Sequence, residues 1–126
     1  MPADWILAIM PNIAIPIFKS RVSPVFDTCT RLSLIEFEDD RVITKKEFDL
    51  DNFSLQERLR VLEKNDVAII ICGGISDVFH ATLSHSNIRL ITGICGNVDE
   101  IIKAYIDDRL DDPCFFMPGH KASKKK

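Results

Sequence analysis

Apolar residues along this chain follow two kinds of spacing, and the switches between them outline a succession of strands and helices. Ile13, Ala14, Ile15, Pro16, Ile17 and Phe18 form a short apolar run of strand type, in which Pro16, lacking an N–H, suggests an edge or a bulge on one side. Pro24 pushes Ser23 out of the helical region, so Arg21 to Asp27 reads as an ordered loop. From Leu32 to Glu38 the chain alternates, with Leu32 and Leu34 on one face and Ser33, Ile35 and Phe37 on the other. Asp39 and Asp40 then form a tight turn into Arg41 to Phe48, which makes a β-hairpin.

The spacing changes at Ser54. Ser54 and Glu57 match a capping box, and Leu55, Leu59 and Leu62 recur at helical intervals up to Asn65. Val67 to Cys72 is continuously apolar and mostly β-branched, as a strand buried on both faces requires, and Gly73-Gly74 ends it. A helix from Ser76 packs through Phe79 and Leu83, with Ile75 at its entrance. Ile88 to Ile91 is the next strand, closed by Thr92, Gly93, Ile94, Cys95 and Gly96. Asn97 caps the last helix, with Glu100 in the reciprocal position and Ile101, Ile102 and Tyr105 as its apolar side.

A hairpin followed by two strand-glycine-helix units predicts an α/β domain with a mixed sheet, and helical crossovers bring parallel strand ends to one edge. Asp111, Asp112 and Pro113 stop the last helix, and Phe115 to His120 fold back. At 126 residues the chain suits one domain. It divides into an N-terminal extension, residues 1–11, the domain, residues 12–120, and a basic tail, residues 121–126. Met10 stands where an initiator would be expected, so the extension is read as adding little to the core.

Composition narrows the function classes. Apolar residues are 46% and charged residues 28%, with a formal net charge of -3, so a nucleic-acid partner gains no general electrostatic support. The apolar region from Trp5 to Phe18 is broken by Pro11, Asn12 and Pro16 and is short of a membrane span, while the residues before Trp5 lack the positive charge of a signal peptide. A cytoplasmic protein with reduced thiols is expected. Cys29, Cys72, Cys95 and Cys114 form no Cys-x-x-Cys pair, which argues against a zinc knuckle or thioredoxin-like motif.

The chemistry concentrates in two corners, Cys72-Gly73-Gly74-Ile75-Ser76 and Gly93-Ile94-Cys95-Gly96-Asn97. Glycines let backbone amides approach a ligand, and the helix starts behind them add N–H groups and positive dipole ends, so such a corner favours an anion. Tight turning alone explains the same glycines, and both readings stay open. Neither the P-loop nor the three-glycine dinucleotide pattern is present. Arg21, a planar donor fork, lies just beyond the first strand, whereas Lys19 reads as surface. Cys95 within its loop, Cys72 at its strand end and His120 after Pro118-Gly119 are candidate soft-metal donors, with core packing as the alternative for Cys72. Cys29 and Cys114 read as packing or surface. His80 and His85, five positions apart, do not share a helical face.

Ile13-Ala14-Ile15-Pro16, Arg21 to Asp27, Ile71 to Ile75, Gly93 to Gly96 and Met117-Pro118-Gly119, in this order and spacing, resemble the dinitrogenase iron-molybdenum cofactor biosynthesis domain of the NifX and NifB carboxyl-terminal type. The resemblance runs from Asn12 to His120. It implies a ribonuclease H-like fold with a five-stranded mixed sheet and three principal helices. It also implies binding, carriage or delivery of an iron-molybdenum precursor, a thiomolybdate or a molybdenum-copper sulfide cluster, exchanged with a donor or acceptor protein. Arg21, Ser23, Gly73, Gly74, Gly93 and Gly96 match the family's binding loops, and Cys72, Cys95 and His120 are the direct-ligand candidates. The chain lacks the Cys-x-x-x-Cys-x-x-Cys signature of an assembling radical enzyme, so the expected role is non-catalytic. Two other classes compete: a protein-interaction or redox-regulatory module without a cluster, and a ribonuclease H-like nuclease, for which the first strand offers Ala14 and Pro16 in place of an acid.

Overall fold

The computed structural model describes residues 12–38, 41–110 and 112–116. The extension, the Asp39-Asp40 turn, the fold-back beyond Phe116 and the basic tail lie outside the described residues. The last helix ends at Ile106, with Asp107 as its cap and Asp108 at a left-handed φ of 59°, short of the expected stop at Asp111 to Pro113. Alternating and β-branched runs give β1 (Asn12–Phe18), β2 (Arg21–Val22), β3 (Arg31–Glu38), β4 (Arg41–Asp49), β5 (Val67–Ile71) and β6 (Arg89–Ile91). The helical spacings give α1 (Leu55–Lys64), α2 (Asp77–Ser84) and α3 (Val98–Ile106), and Pro113–Phe115 adds a 3-10 turn.

The long strands lie in the order β4-β3-β1-β5-β6, with the two-residue β2 paired to β1. The mixed sheet therefore has six strands, the expected five and one short addition. β4, β3 and β1 run antiparallel in turn, whereas β1, β5 and β6 are parallel. No described helix is long and apolar enough to cross a membrane.

Pro16 occupies a central strand, and the pairing explains how. β5 matches β1 only from Asn12 to Ala14, after which β2 takes over at Ile17 and Phe18. The Pro16 carbonyl accepts from Ser23 N–H at 2.8 Å on that side. Its imide nitrogen faces the same way and falls where the β5 ladder has ended, so no ladder bond is lost. The irregularity in the β1–β5 register lies earlier, between Asn12 and Ile13.

Strand alternation makes two cores. Ile13, Ile15, Ile17, Ile35, Phe37, Ile69 and Ile71 pack with Val98, Ile101 and Ile102 of α3 on one face. Ala14, Leu32, Leu34 and Ile70 pack with Leu62 of α1 and Phe79 and Leu83 of α2 on the other. The helix boundaries follow their caps. Ser54 Oγ accepts from Glu57 N–H at 3.1 Å while Glu57 Oε1 accepts from Ser54 N–H at 2.8 Å. Ser76 caps α2 as the residue before it, one position earlier than the first helical residue. Asn97 Oδ1 takes the N–H groups of Asp99 and Glu100, a cap made by the asparagine side chain.

One charged side chain is buried in the second core. Arg58, 5% exposed, donates to the carbonyls of Cys29 at 2.7 Å, Phe53 at 3.2 Å and Leu50 at 3.3 Å. It thereby ties the chain entering β3 to the chain leaving β4. A planar fork suits three divergent carbonyls, and a lysine cannot reproduce it. Arg58→Ala is expected to lower stability by about 2–4 kcal/mol, because buried acceptors lose their donor, and Arg58→Lys should recover less than half of the loss in urea unfolding.

Candidate functional site

Because β1, β5 and β6 are parallel, the loops that follow them emerge at one edge, and there they are stitched together through backbone groups. The loop after β5 bonds the loop after β6 through Gly93 N–H to Gly73 O at 2.8 Å and Ile94 N–H to Cys72 O at 3.0 Å. It bonds the loop after β2 through Gly74 N–H to Pro24 O at 2.6 Å and Phe26 N–H to Gly74 O at 2.9 Å. The loop after β6 is joined to β2 by Val22 N–H to Gly96 O at 2.9 Å, and Val98 N–H reaches Ser20 O at 2.9 Å. Two glycines are required by this closeness. A Cβ on Gly74 would stand 3.2 Å from the Pro24 carbonyl oxygen, and Gly96 has a φ of +128°, outside the range side chains favour.

The helix starts differ from the sequence-based expectation, because groups of the chain itself occupy them. Asp27 accepts from Ser76 N–H at 2.7 Å and from Ser76 Oγ–H at 2.5 Å, so the anion at the start of α2 is a carboxylate of the protein. At α3, Asn97 Oδ1 and Ser20 O take the first N–H groups. Of the glycine amides, those of Gly74 and Gly93 hold the loops together. No acceptor among the described residues takes the N–H of Gly73, Ile75 or Gly96. Ser23, 6% exposed, is likewise a loop-building residue, its N–H on Pro16 O and its hydroxyl 3.3 Å from Val25 O.

Arg21 lies opposite Asn97 in an isolated bridge and is exposed. Its guanidinium forms no ion pair or hydrogen bond with another described residue. Among the described residues, the edge thus carries loop amides without acceptors, on buried Gly73 and on half-buried Ile75 and Gly96, together with the exposed Arg21.

The thiols separate by burial. Cys95 is half-buried in the loop after β6, with its N–H on Phe115 O at 2.7 Å and its Sγ 3.4 Å from Phe116 O. The same backbone contact, with the Ile94–Phe116 bridge, brings the 3-10 turn that carries the exposed Cys114 up to the loop after β6, a placement its sequence position did not indicate. Cys72 is fully buried in the second core, where desolvation, with Asp27 and Cys29 adding to it, pushes its thiol up to about 12. Burial also raises Cys29, against the opposing pull of Arg58. His120 lies outside the described residues. His80 on α2 and His85 at its end are both exposed, as expected of surface groups. Among the described residues, no group of three or more His, Cys, Asp and Glu side chains is placed to hold a metal ion.

Asp27 is the residue that sequence reasoning passed over as a structural clamp. It lies 49 positions from Ser76, and no local periodicity connects them. Its place within Arg21 to Asp27 was the only available signal.

The profile of the family described as dinitrogenase iron-molybdenum cofactor matches residues 10–108. A candidate dinitrogenase from Methanocaldococcus jannaschii has a TM-score of 0.68 at 24% identity, over 81% of this chain and 93% of that one. The apo form of the orange protein from Desulfovibrio gigas gives 0.66 at 15% identity, over 80% and 91%. A candidate NifB protein from Thermotoga gives 0.64 at 18% identity, over 88% and 100%. At these identities the structural likeness establishes a shared fold. No curated protein matches the chain in sequence.

Two outcomes test this geometry. Asp27→Ala should cost about 1–2 kcal/mol through the lost cap, and Asp27→Asn should keep part of it, since an amide still accepts from Ser76 N–H. Cys72 gives a pH signature: the unfolded thiol loses its proton near 9.0 and the folded one near 12. Its contribution is fully present below the lower value and is lost as pH rises towards the upper one, by up to about 1.4 kcal/mol per pH unit. Denaturant unfolding between about pH 8 and about pH 11 should show a shallower decline for Cys72→Ala than for the wild type.

Proposed function

The chain belongs to the dinitrogenase iron-molybdenum cofactor family, and from that premise we propose that it binds and hands on an anionic metal-sulfur cluster or cluster precursor at the stitched loop edge. The observation that supports the proposal is that the mutually bonded loops leave the N–H groups of Gly73, Ile75 and Gly96 without an acceptor among the described residues, at the edge that also carries Arg21. Such a cradle holds a multiply charged anion through N–H groups and a guanidinium, with no cage of side-chain ligands.

Cys95 is the proposed sulfur donor, because it alone of the sequence-nominated cysteines is both in the loop and partly open. Cys114, on the 3-10 turn that pairs with this loop, is a second exposed thiol. Cys72 is assigned to packing, since a thiolate there must overcome the burial that raises its pKa. His120 belongs to the proposal as a donor from the segment after Phe116. A thiomolybdate, an iron-molybdenum precursor or a molybdenum-copper sulfide meets these requirements equally, being anionic and rich in sulfur.

The role is receipt and delivery, without catalysis. Phe18, Val25 and Val78 are 60%, 39% and 66% exposed, and they belong to the segments that form or flank this edge, which supports docking of a donor or acceptor protein. A cytoplasmic setting fits the four free thiols. The ribonuclease H-like description belongs to the same proposal and is supported by the mixed sheet with helices on both faces. A nuclease is disfavoured by Asp27, whose carboxylate is committed to Ser76.

Anaerobic reconstitution with tetrathiomolybdate, alone and with copper(I) or iron, tests the proposal by metal analysis and visible absorption. Saturable uptake of a defined number of guests per chain is expected, and Arg21→Gln should weaken it about tenfold or more through loss of a charge-assisted contact. Absence of saturable uptake under every condition refutes the proposal.

A further inference from the structure

On the α3 face of the sheet, a cavity of about 140 Å³ is lined by Ile17, Lys19, Ser20, Ser33, Lys45, Glu47, Val98 and Asp99. Ser33 pairs across the sheet with Ile15 on β1 and Glu47 on β4, so its side chain projects to this face with theirs. The residue is wholly buried, and its Oγ has no hydrogen-bond partner among the described residues. A buried hydroxyl without a partner is a standing cost, which a guest able to accept its proton relieves.

The charges around Ser33 indicate the sign of that guest. Glu47 is bonded to Arg31 at 2.7 Å, and Asp99 to Lys45 at 2.7 Å, so both carboxylates are already neutralised. Among the described residues Lys19 has only the Phe18 ring, 5.4 Å from its Nζ, and supplies the surplus positive charge. Lys45 keeps further N–H donors beyond the one given to Asp99. Its pairing with Asp99 is exposed, with the two side chains 41% and 78% accessible, so the ammonium can turn those remaining donors towards Ser33 while it stays beside Asp99.

We infer that this cavity is a binding site for a small tetrahedral oxyanion, with Ser33 Oγ–H, Lys19 and Lys45 as its donors. The first N–H groups of α3 take no part, since Ser20 O and Asn97 Oδ1 hold them. The site goes beyond the proposed cluster edge and uses none of its donors.

Titration of the full-length, nitrogen-15-labelled protein with inorganic phosphate, and separately with sulfate, tests the inference against chloride at matched ionic strength. Saturable amide shifts centred on Ser20, Ser33, Glu47 and Val98 are expected with both oxyanions and absent with chloride. Ser33→Ala should weaken binding about tenfold while leaving the remaining spectrum in place, and Lys19→Gln should weaken it about threefold or more. Shifts that grow linearly without saturation, or a Ser33→Ala variant that titrates like the wild type, overturn the inference and leave the cavity to water.

Discussion

The contact on which the rest depends is backbone to backbone: the N–H of Gly93 on the carbonyl of Gly73, and the N–H of Gly74 on the carbonyl of Pro24. These bonds extend the pairing of β1, β5 and β6 past the ends of the strands, so three loops behave as a continuation of the sheet. At Gly74 the fit is tight, since a Cβ there would stand 3.2 Å from the Pro24 carbonyl oxygen. Rigid loops carried by buried parallel strands hold their remaining amides in fixed directions, and preorganisation of that kind reduces the cost of binding.

The same stitching decides which groups are left for a ligand. Helix N-termini are the usual source of positive potential at such an edge, yet Asp27 occupies one and Asn97 with Ser20 occupies the other. In the proposed function, recognition of an anion therefore falls to the loop amides and to Arg21. Burial sorts the sulfur chemistry in a parallel way. Cys72, one residue before the glycines, is held protonated by the core, whereas Cys95 is only half-buried in its loop.

Much of the fold was legible because local chemistry and tertiary packing agree. The capping box at Ser54, the two-faced alternation of Leu32 to Phe37 and the β-branched run Val67 to Ile71 each specify one element and one orientation, and each element forms. Pro16 was harder, since a proline in a central strand is tolerated only through the exchange of β5 for β2, which is a property of the sheet. The edge was half legible. Glycine spacing indicated loops that meet, but which amides stay free depends on partners many residues away. The Asp27–Ser76 clamp, the bridge from Ile94 to Phe116 that places Cys114, and the closed environment of Cys72 are all long-range facts of this kind.

The central claim is that a sulfur-rich anion sits on the amides left over from the stitching. Amide chemical shifts recorded without oxygen, before and after loading with tetrathiomolybdate, test it most directly. The account predicts the largest changes at Gly73, Ile75, Gly96 and Asn97, with small ones at the opposite end of the sheet around Asn65 and Val67. Changes centred at that opposite end, or confined to surface lysines with the four edge amides unmoved, would contradict it.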